Sequence, residues 1–195
     1  MSVSPAKSAP QPIVLEGHYV RLEPIAQRHA ADIFAVSTMA GGPERYRWLF
    51  STPPATLAEV EERIAQSQTH PDRYVAVVDR ASGRAVGQQA WMRIFPEHGS
   101  IEIGGVYWGL PMARSRLATE ALYLFARHAF DDLAYRRFEW KCNDRNAASK
   151  AAATRFGFQY EGLFRQDRIV KGESRDTAWF SIIDSEWPDL RAEYE

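Results

Sequence analysis

The segment IEIGGVYWGLPMARSRLATEALYLFARHAF, residues 101–130, predicts a buried strand, a short basic turn and a long helix in succession. The first N–H groups of such a helix have no partner within it, and the helix dipole adds partial positive charge there. Polar and basic side chains supply further donors at the same point: Arg114, Ser115, Arg116 and Thr119. The segment therefore predicts an anion-binding site at the helix N-terminus, with a solvated surface loop as the alternative.

Hydrophobic periodicity predicts further strands and helices on both sides of this segment. Strands are predicted at 13–24 with a break at Gly17, and at 74–79, 85–95, 100–108, 137–142, 158–170 and 176–183. Helices are predicted at 29–38, 56–68, 116–130 and 146–155, and a polar tail at 185–195. This order predicts a mixed α+β fold with an antiparallel middle and a parallel strand pair joined by the crossover at 101–142.

Composition limits the class of protein. The chain has 195 residues, of which 45% are hydrophobic, and we expect a flexible tail at 1–12 followed by a single domain at 13–195. A net charge of −1 argues against binding to nucleic acid through bulk electrostatics. The sequence contains neither a 20-residue apolar run nor a signal peptide, so we expect a cytoplasmic protein without membrane contact.

Segments along the chain carry a family resemblance in their order and spacing. They are GHYVRLEP at 17–24, EIGGVYWG at 102–109, RLATEALYLFARHAF at 116–130, NDRNAASKAAATRFGF at 143–158 and YEGLFRQDRIVKGESRDTAWFSIID with SEWP at 160–188. Together they resemble the GNAT superfamily of acyl-CoA-dependent N-acyltransferases, specifically its RimJ/RimL-like branch. The resemblance implies a central, mostly antiparallel twisted sheet with one parallel strand pair at the cofactor site, flanked by helices. It also implies a homodimer, in which the strands near the C-terminus could pair across the interface.

The resemblance implies that acetyl-CoA is the cofactor and assigns residues to it. The strand edge at 107–109 would pair with the pantetheine arm, the turn at 113–118 would hold the pyrophosphate, and Asn146 would hold the pantetheine amide region. Ser149 would lie near the sulfur. The implied cofactor-binding residues are Tyr107, Trp108, Gly109, Arg114, Ser115, Arg116, Leu117, Ala118, Thr119, Asn146 and Ser149.

The chain departs from the family pattern in two places. The pyrophosphate loop has Ala113 and Arg116 where a polar residue and a glycine are usual. Ala153 stands where many relatives carry a tyrosine that protonates the leaving thiolate. Ser149 would inherit that acid role, with a water molecule as the alternative.

The proton acceptor is left open among three carboxylates, of which Asp167 has no specific signal behind it. Glu102 lies on the cofactor strand, and its alternative is an outward-facing strand glutamate. Asp176 matches an acidic position of the branch, and its alternative is a structural partner for Arg175 or Arg165.

The acceptor site and the remaining chemistry are predicted more loosely. Tyr46, Trp48 and Trp91 could bind the substrate or simply pack in the core. Cys142 is expected to be a buried strand cysteine rather than a nucleophile, and the histidine spacings predict no metal site.

The leading interpretation is an enzyme that transfers an acetyl group from acetyl-CoA to a primary amine by direct attack in a ternary complex. The amine would belong to a protein N-terminus, an amino acid or a small molecule. A catalytically weak acyl-CoA-binding module with a regulatory or assembly role is the alternative. A nucleic-acid binder using Arg136, Arg137, Lys141 and Arg145 is disfavoured by the balanced charge.

Overall fold

The computed structural model describes residues 4–194. Its strands are β1 Leu15–Glu16, β2 Val20–Pro24, β3 Arg73–Asp79, β4 Ala85–Phe95, β5 Ser100–Trp108, β6 Arg137–Asn143, β7 Gln159–Val170 and β8 Glu173–Ile183. Its α-helices are α1 Ala30–Thr38, α2 Leu57–Ser67, α3 Arg116–Arg127, α4 Ala147–Arg155 and α5 Trp187–Tyr194. A single π-helical segment, His128–Asp132, continues α3. Within this range no helix is both long and apolar enough to cross a bilayer.

The eight strands form one sheet in the order β1-β2-β3-β4-β5-β6-β8-β7. β5 and β6 are parallel, with Ser100 opposite Arg137 and Ile103 opposite Trp140. The pairs β1–β2, β2–β3, β3–β4, β6–β8 and β7–β8 are antiparallel. The predicted fold class, a mostly antiparallel sheet with one parallel pair and flanking helices, is therefore confirmed.

The chain forms two compact units, and the single domain predicted for 13–195 stays a prediction. One unit comprises residues 10–92 and 105–125. Its core packs α1 and α2 on β3, through residues such as Ile33, Val60 and Val78. Thr56 caps α2 by accepting the N–H of Glu59 at 3.3 Å, as the capping-box spacing predicts.

A buried carboxylate organises the start of the same unit. Glu23 is 6% exposed, and its oxygens accept hydrogen bonds from the basic side chains that surround it. Burial alone would raise the pKa of Glu23, but these bonds outweigh it and lower the pKa to about 2. The surrounding side chains are Arg21, Arg28 and His29.

The second unit comprises residues 93–104 and 126–194 together with the N-terminal residues up to Ala9. Phe138, Trp140 and Cys142 alternate on β6 and are all buried, and the burial of Cys142 is as predicted. β7 and β8 meet at a tight turn in which Lys171 and Gly172 both have positive φ, the geometry of a two-residue hairpin. β8 begins three residues before the predicted start at 176, because this turn is shorter than the sequence suggested.

The predicted polar tail at the C-terminus is wrong in part, whereas the flexible tail at 1–12 stays a prediction. Residues 187–194 form α5, where Trp187 stacks on Phe130 at 5.3 Å and donates to Asp131 at 2.8 Å. At the other end, the N–H of Ala6 donates to the carbonyl of Pro96 at 2.9 Å and the N–H of Lys7 donates to that of Leu133 at 2.9 Å. These bonds hold part of the segment predicted to be flexible, while its first three residues lie outside the described range.

Candidate active site

A folded turn connects β5 to α3. The N–H of Gly109 donates to Val86 at 2.9 Å, and the N–H and hydroxyl of Ser115 both donate to the carbonyl of Met112. Arg114 has a φ of +51°, in the left-handed region that disfavours residues with a side chain. α3 then begins at Arg116, so the N–H groups of residues 116–118 have no i→i−4 carbonyl partner in the helix.

The two arginines of this turn differ in their contacts. Arg116 donates to the Tyr19 hydroxyl at 2.8 Å, and its guanidinium lies 5.6 Å from the centre of the Tyr19 ring. Within residues 4–194, the guanidinium of Arg114 has no hydrogen bond or ion pair and is exposed to solvent. Leu117 and Ala118 are half-buried and buried, so these two residues can offer an anion only their backbone. The cation free to meet a ligand is therefore Arg114.

Glu120 is a structural residue of this site that sequence reasoning missed. Its carboxylate accepts the N–H groups of His18, Tyr19 and Val20 at 2.6–2.7 Å. A Cβ at Gly17 would lie 2.4 Å from the same carboxylate, which explains the glycine at the break between β1 and β2. Glu120 thus holds the loop that presents Tyr19 to Arg116. The sequence signals this site only through the interrupted strand pattern at Gly17-His18-Tyr19. That interruption does not indicate which helix supplies the carboxylate that binds the loop.

The end of β5 is fixed by buried polar contacts. Trp108 donates from its indole to Gln89 at 2.9 Å, and the fully buried Gln89 donates to the carbonyl of Ala121 at 3.1 Å. Arg45 donates to the carbonyl of Trp108. Gln89 and Arg45 were not singled out from the sequence.

These contacts revise the predicted pantetheine edge. The carbonyl of Trp108 and the N–H of Gly109 both have partners within the chain. The parallel pairing of β5 stops at Ile103, although the strand continues to Trp108. The backbone that a ligand could still pair with therefore lies between these two points, where Gly105 has a φ of +57°.

Two of the three predicted substrate residues are buried. Tyr46 is 5% exposed and stacks on Tyr107, whose ring centre is 4.5 Å away. Trp91 is 3% exposed and stacks almost flat on Phe125 at 3.7 Å. Trp48 is half-buried, with the adjacent Arg47 guanidinium 4.7 Å from its ring. The structure therefore favours core packing for Tyr46 and Trp91 and leaves Trp48 as a candidate.

Tyr107 is also directed inward. It is 2% exposed, and its hydroxyl donates to the carbonyl of Val36 at 2.8 Å. Burial raises the pKa of Tyr107 to about 12, so this phenol is neutral and tied into the core.

The second unit carries the residues predicted near the sulfur. Asn146 is the N-cap of α4, and its side-chain oxygen accepts the N–H of Ser149 at 3.1 Å. The hydroxyl oxygen of Ser149 accepts the indole N–H of Trp140 at 3.0 Å, and the serine O–H is hydrogen-bonded to the Cys142 sulfur. Cys142 is 5% exposed and burial raises the pKa of its thiol, in line with the predicted buried strand cysteine. Ala153 is fully buried and offers no acid.

Glu102 lies in a buried ion-pair network, so the alternative of an outward-facing glutamate is wrong. Lys141 donates to Glu102 and to Glu139 at 2.7 Å each, and all three side chains are nearly inaccessible. Burial raises the pKa of Glu102, and the Lys141 ammonium opposes that effect. To act as a base, Glu102 would have to leave this ion pair.

Two of the four basic residues considered for nucleic-acid binding, Arg137 and Lys141, belong to the same ion-pair network. Arg137 pairs with Glu139 at 2.7 Å and with Glu161, and Lys141 is buried. Their charges are therefore neutralised by carboxylates on β5, β6 and β7.

Asp176 accepts the backbone N–H of Gln166 at 2.7 Å, so its structural partner is a main-chain group rather than the suggested arginine. It is half-buried and lines a cleft of about 820 Å³ at the ends of β6 and of the β7–β8 hairpin. Among residues 4–194, no group of three or more His, Cys, Asp or Glu side chains could hold a metal ion.

Comparison with known proteins places this geometry in a family. Residues 20–159 match the family model described as an acetyltransferase (GNAT) domain. No curated protein sequence matches the chain.

Solved structures extend the match. A GCN5-related N-acetyltransferase from Brucella melitensis is 49% identical with a TM-score of 0.95, covering 98% of this chain and 87% of that one. A GNAT-family protein from Chromobacterium violaceum is 37% identical with a TM-score of 0.87, covering 94% and 92%. A Salmonella typhimurium acetyltransferase, described as modifying the N-terminal serine of ribosomal protein L7/L12, shares the fold at 17% identity, a TM-score of 0.75 and coverages of 88% and 99%. By the family model and the two closer structures, the chain belongs to the GNAT acetyltransferase family.

Proposed function

We propose that this protein transfers an acetyl group from acetyl-CoA to a primary amine by direct attack in a ternary complex. The observation that carries the proposal is the turn into α3, where unpaired helix N–H groups and the free Arg114 guanidinium meet. Such a site suits a diphosphate, because N–H donors, the helix dipole and a cation all favour negative charge there.

Two further features fit the other parts of the same cofactor. The stretch of β5 after Ile103 continues beyond its pairing with β6, which suits hydrogen bonding to an extended pantetheine arm. The side-chain oxygen of Asn146 caps α4, so its N–H₂ group is available as a donor. This group can donate a hydrogen bond to an amide carbonyl of the pantetheine arm. When bound, acetyl-CoA supplies an activated thioester whose sulfur leaves as a thiolate.

Ser149 is the side-chain acid that the contacts favour. Its oxygen is held by the Trp140 indole, and its O–H, which is hydrogen-bonded to the Cys142 sulfur, would turn from that sulfur to a bound thioester. The hydroxyl can donate a hydrogen bond to a developing thiolate, and a water molecule is the alternative donor. Replacing Ser149 with Ala tests this role: kcat should fall about tenfold or more while acetyl-CoA binding is kept, since general acid catalysis contributes about 10²–10⁴-fold.

Asp176 is a better candidate than Glu102 for the proton acceptor. One oxygen of Asp176 is used by Gln166 and the carboxylate is half-buried at a cleft, whereas Glu102 is enclosed in an ion pair. An amine that enters as an ammonium ion must lose a proton before it attacks, and a carboxylate at the cleft wall can accept it directly or through water. Trp48 stays the aromatic candidate for acceptor contact.

The alternative function, a catalytically weak acyl-CoA-binding module, is favoured by one observation. Ala153 fills a fully buried position on α4 where many relatives are expected to carry an acidic hydroxyl. Such a module would bind acetyl-CoA tightly and release no thiol with any amine.

Calorimetric titration with acetyl-CoA tests the cofactor part of the proposal. Arg114→Glu and Asn146→Ala should each weaken binding, the first by about tenfold or more because a charge-assisted contact becomes a repulsion. Arg136→Glu, the same charge change at an exposed position outside the turn, is the control and should bind like the wild type. Absence of saturable binding to the wild-type protein at millimolar cofactor would refute the acetyltransferase assignment. Thiol release over an amine panel then separates the enzyme from the binding module.

We also propose a homodimer in which β7 lies at the interface. β7 is an edge strand of 12 residues, and its Ile169 is 82% exposed. Long, exposed edge strands are usually paired or covered. Sedimentation of the wild type should give a dimer that Ile169→Lys shifts toward monomer, and a wild-type monomer at all concentrations would exclude the proposal.

A further inference from the structure

The cleft at the end of β6 has a lining that is entirely polar or charged. It is formed by the turn after β6 and by β7 and β8, and its volume of about 820 Å³ is sufficient for a small ligand or a peptide end. The lining residues are Asn143, Asp144, Arg145, Arg165, Gln166, Ser174 and Asp176. Two acidic and two basic residues make the cleft neutral in formal charge, so its preference depends on which of these groups are already paired.

The acids of the cleft are already occupied. Asp144 accepts from the Lys150 ammonium at 2.9 Å. Asp176 accepts the backbone N–H of Gln166 at 2.7 Å. The Lys150 ammonium therefore offsets the charge of Asp144, whereas the N–H of Gln166 uses one oxygen of Asp176 and leaves its negative charge available.

The donors of the cleft are not occupied to the same extent. Across the described residues, the guanidinium of Arg165 makes neither a hydrogen bond nor an ion pair, although it can donate five N–H bonds. Arg145 has a loose contact of 3.7 Å with the exposed Glu173 and a long bond of 3.4 Å to the carbonyl of Ser174. The side-chain N–H₂ of Asn143 is also left over, because its oxygen accepts the N–H of Arg145. The unsatisfied capacity is thus mainly that of cationic and neutral donors.

A β-bulge sets the backbone conformation next to Arg165. The register of β7 against β8 shifts between Phe164 and Arg168, and Gln166 adopts a φ of +51°. Asp176 stabilises this bulge through the N–H of Gln166. Bulges redirect side chains at the edges of sheets, and here the redirected residue next to the strained position is Arg165.

We propose that this cleft binds a carboxylate carried by the amine acceptor, with Arg165 as its main contact and Arg145 as a second. The proposal rests on the proposed acetyltransferase function and specifies its substrate class: an amine that bears an acidic group. Asp176 lines the same cleft, so one acceptor can present its ammonium to Asp176 and its carboxylate to Arg165. The carboxylate can be the α-carboxylate of an amino acid or an acidic side chain near a peptide N-terminus.

Direct binding without acetyl-CoA tests the cleft independently of turnover. The C-terminally amidated dipeptides Ala-Glu-NH₂ and Ala-Gln-NH₂ and the pair L-alanine and L-alaninamide are titrated into ¹⁵N-labelled protein and followed by NMR. In each pair one member carries a carboxylate (the acidic member) and the other an amide in its place (the neutral member). We expect the acidic member to shift the amides of residues 143–145, 165–166 and 174–176, and the neutral member to bind about tenfold more weakly. A preference within the first pair identifies a side-chain carboxylate as the ligand, and one within the second pair an α-carboxylate.

Two substitutions test whether Arg165 is responsible for the preference for the acidic probe. Arg165→Glu should abolish the preference for the acidic member, and Arg168→Glu, the same change three residues along β7 and outside the cleft lining, should keep it. Equal binding of acidic and neutral probes, or shifts outside the cleft, would overturn the proposal even where acetyl-CoA binds and other amines are acetylated. Preferential binding of acidic probes without thiol release would support the cleft and count against acetyl transfer to these acceptors.

Discussion

Replacing Lys141 with Met should severely destabilise the protein. The Lys141 ammonium lies 2.7 Å from a carboxylate oxygen of Glu102 and 2.7 Å from one of Glu139, and its side chain is 8% exposed. Methionine keeps an apolar stem that can pack on Trp179 but removes the charge. Glu102 and Glu139 are direct register partners on β5 and β6, so two buried carboxylates would then face each other. Glu139 would keep its pair with Arg137 at 2.7 Å, whereas the nearest remaining cation to Glu102 would be Arg93 at 3.7 Å.

The expected loss follows from the cost of leaving the Glu102 carboxylate buried without its close ion-pair partner. Breaking one partner out of a buried pair costs about 3–5 kcal/mol. For a chain of this length, each kcal/mol lowers the melting temperature by about 2–4 °C, so the shift should be about 6–20 °C. Thermal unfolding followed by circular dichroism measures it. Lys150→Met is the matched control: its pair with Asp144 has the same chemistry at the surface, and its loss should barely move the transition.

The destabilisation should also depend on pH. Burial raises the pKa of Glu102 above its unfolded value of 4.5, and removing the Lys141 charge raises it further. Between these two pKa values the folded state binds more protons than the unfolded state, so the variant loses stability as pH rises from 4.5 through the folded pKa. A Glu102→Gln, Lys141→Met double variant should regain much of the loss at neutral pH. A single variant within about 1 kcal/mol of wild type, far below the cost of an unpaired buried charge, would refute this account of the network.

Three other changes have defined outcomes. Trp91→Ala should lower the free energy of unfolding by about 3–5 kcal/mol, because it leaves a cavity beside the buried ring of Phe125. A variant with normal stability and reduced acceptor affinity would instead support a substrate-binding role for Trp91. Glu120→Ala should cost about 1–3 kcal/mol in urea unfolding, because it leaves three backbone N–H groups without their acceptor. Glu23→Gln should flatten the acid limb of the stability curve: the lowered pKa of Glu23 gives stability above pH 4.5 that is lost as pH falls toward 2. An unchanged acid limb in that variant would contradict the ion-pair account.

The sequence predicted those elements whose signals are local. β5 has the predicted bounds at residues 100 and 108, because its alternation and the flanking Gly and Pro residues lie within the segment itself. α5 was missed because the contact that stabilises it joins Trp187 to Phe130, far away in the chain. The bonds of Ala6 and Lys7 to Pro96 and Leu133 are equally remote in sequence, so composition alone suggested a flexible tail there.

The candidate site shows the same division between residue type and environment. Periodicity located Glu102 on a strand, but its burial depends on Lys141, a residue of another strand. Asp176 was identified as a polar partner, yet the group it binds is a backbone N–H that becomes available only through the bulge at Gln166. An aromatic such as Trp91 looks the same in a sequence whether it lines a site or packs in a core, and only its neighbours decide.

The pyrophosphate turn departs from the family pattern, and it has either kept or lost its ability to bind the cofactor. Arg114→Gly distinguishes these two possibilities. Arg116 is the first helical residue and needs no glycine, whereas the left-handed φ of +51° falls on Arg114, at a cost of about 1–2 kcal/mol for a residue with a side chain. Glycine relieves that strain but gains unfolded-state entropy, so the melting temperature should change little. If the strain positions a cation for the cofactor, the variant should bind acetyl-CoA about tenfold more weakly at unchanged stability, as a lost charge-assisted contact requires. Arg114→Ala should lose the same affinity while keeping the strain, and unchanged affinity in both variants would mean that this arginine serves no ligand.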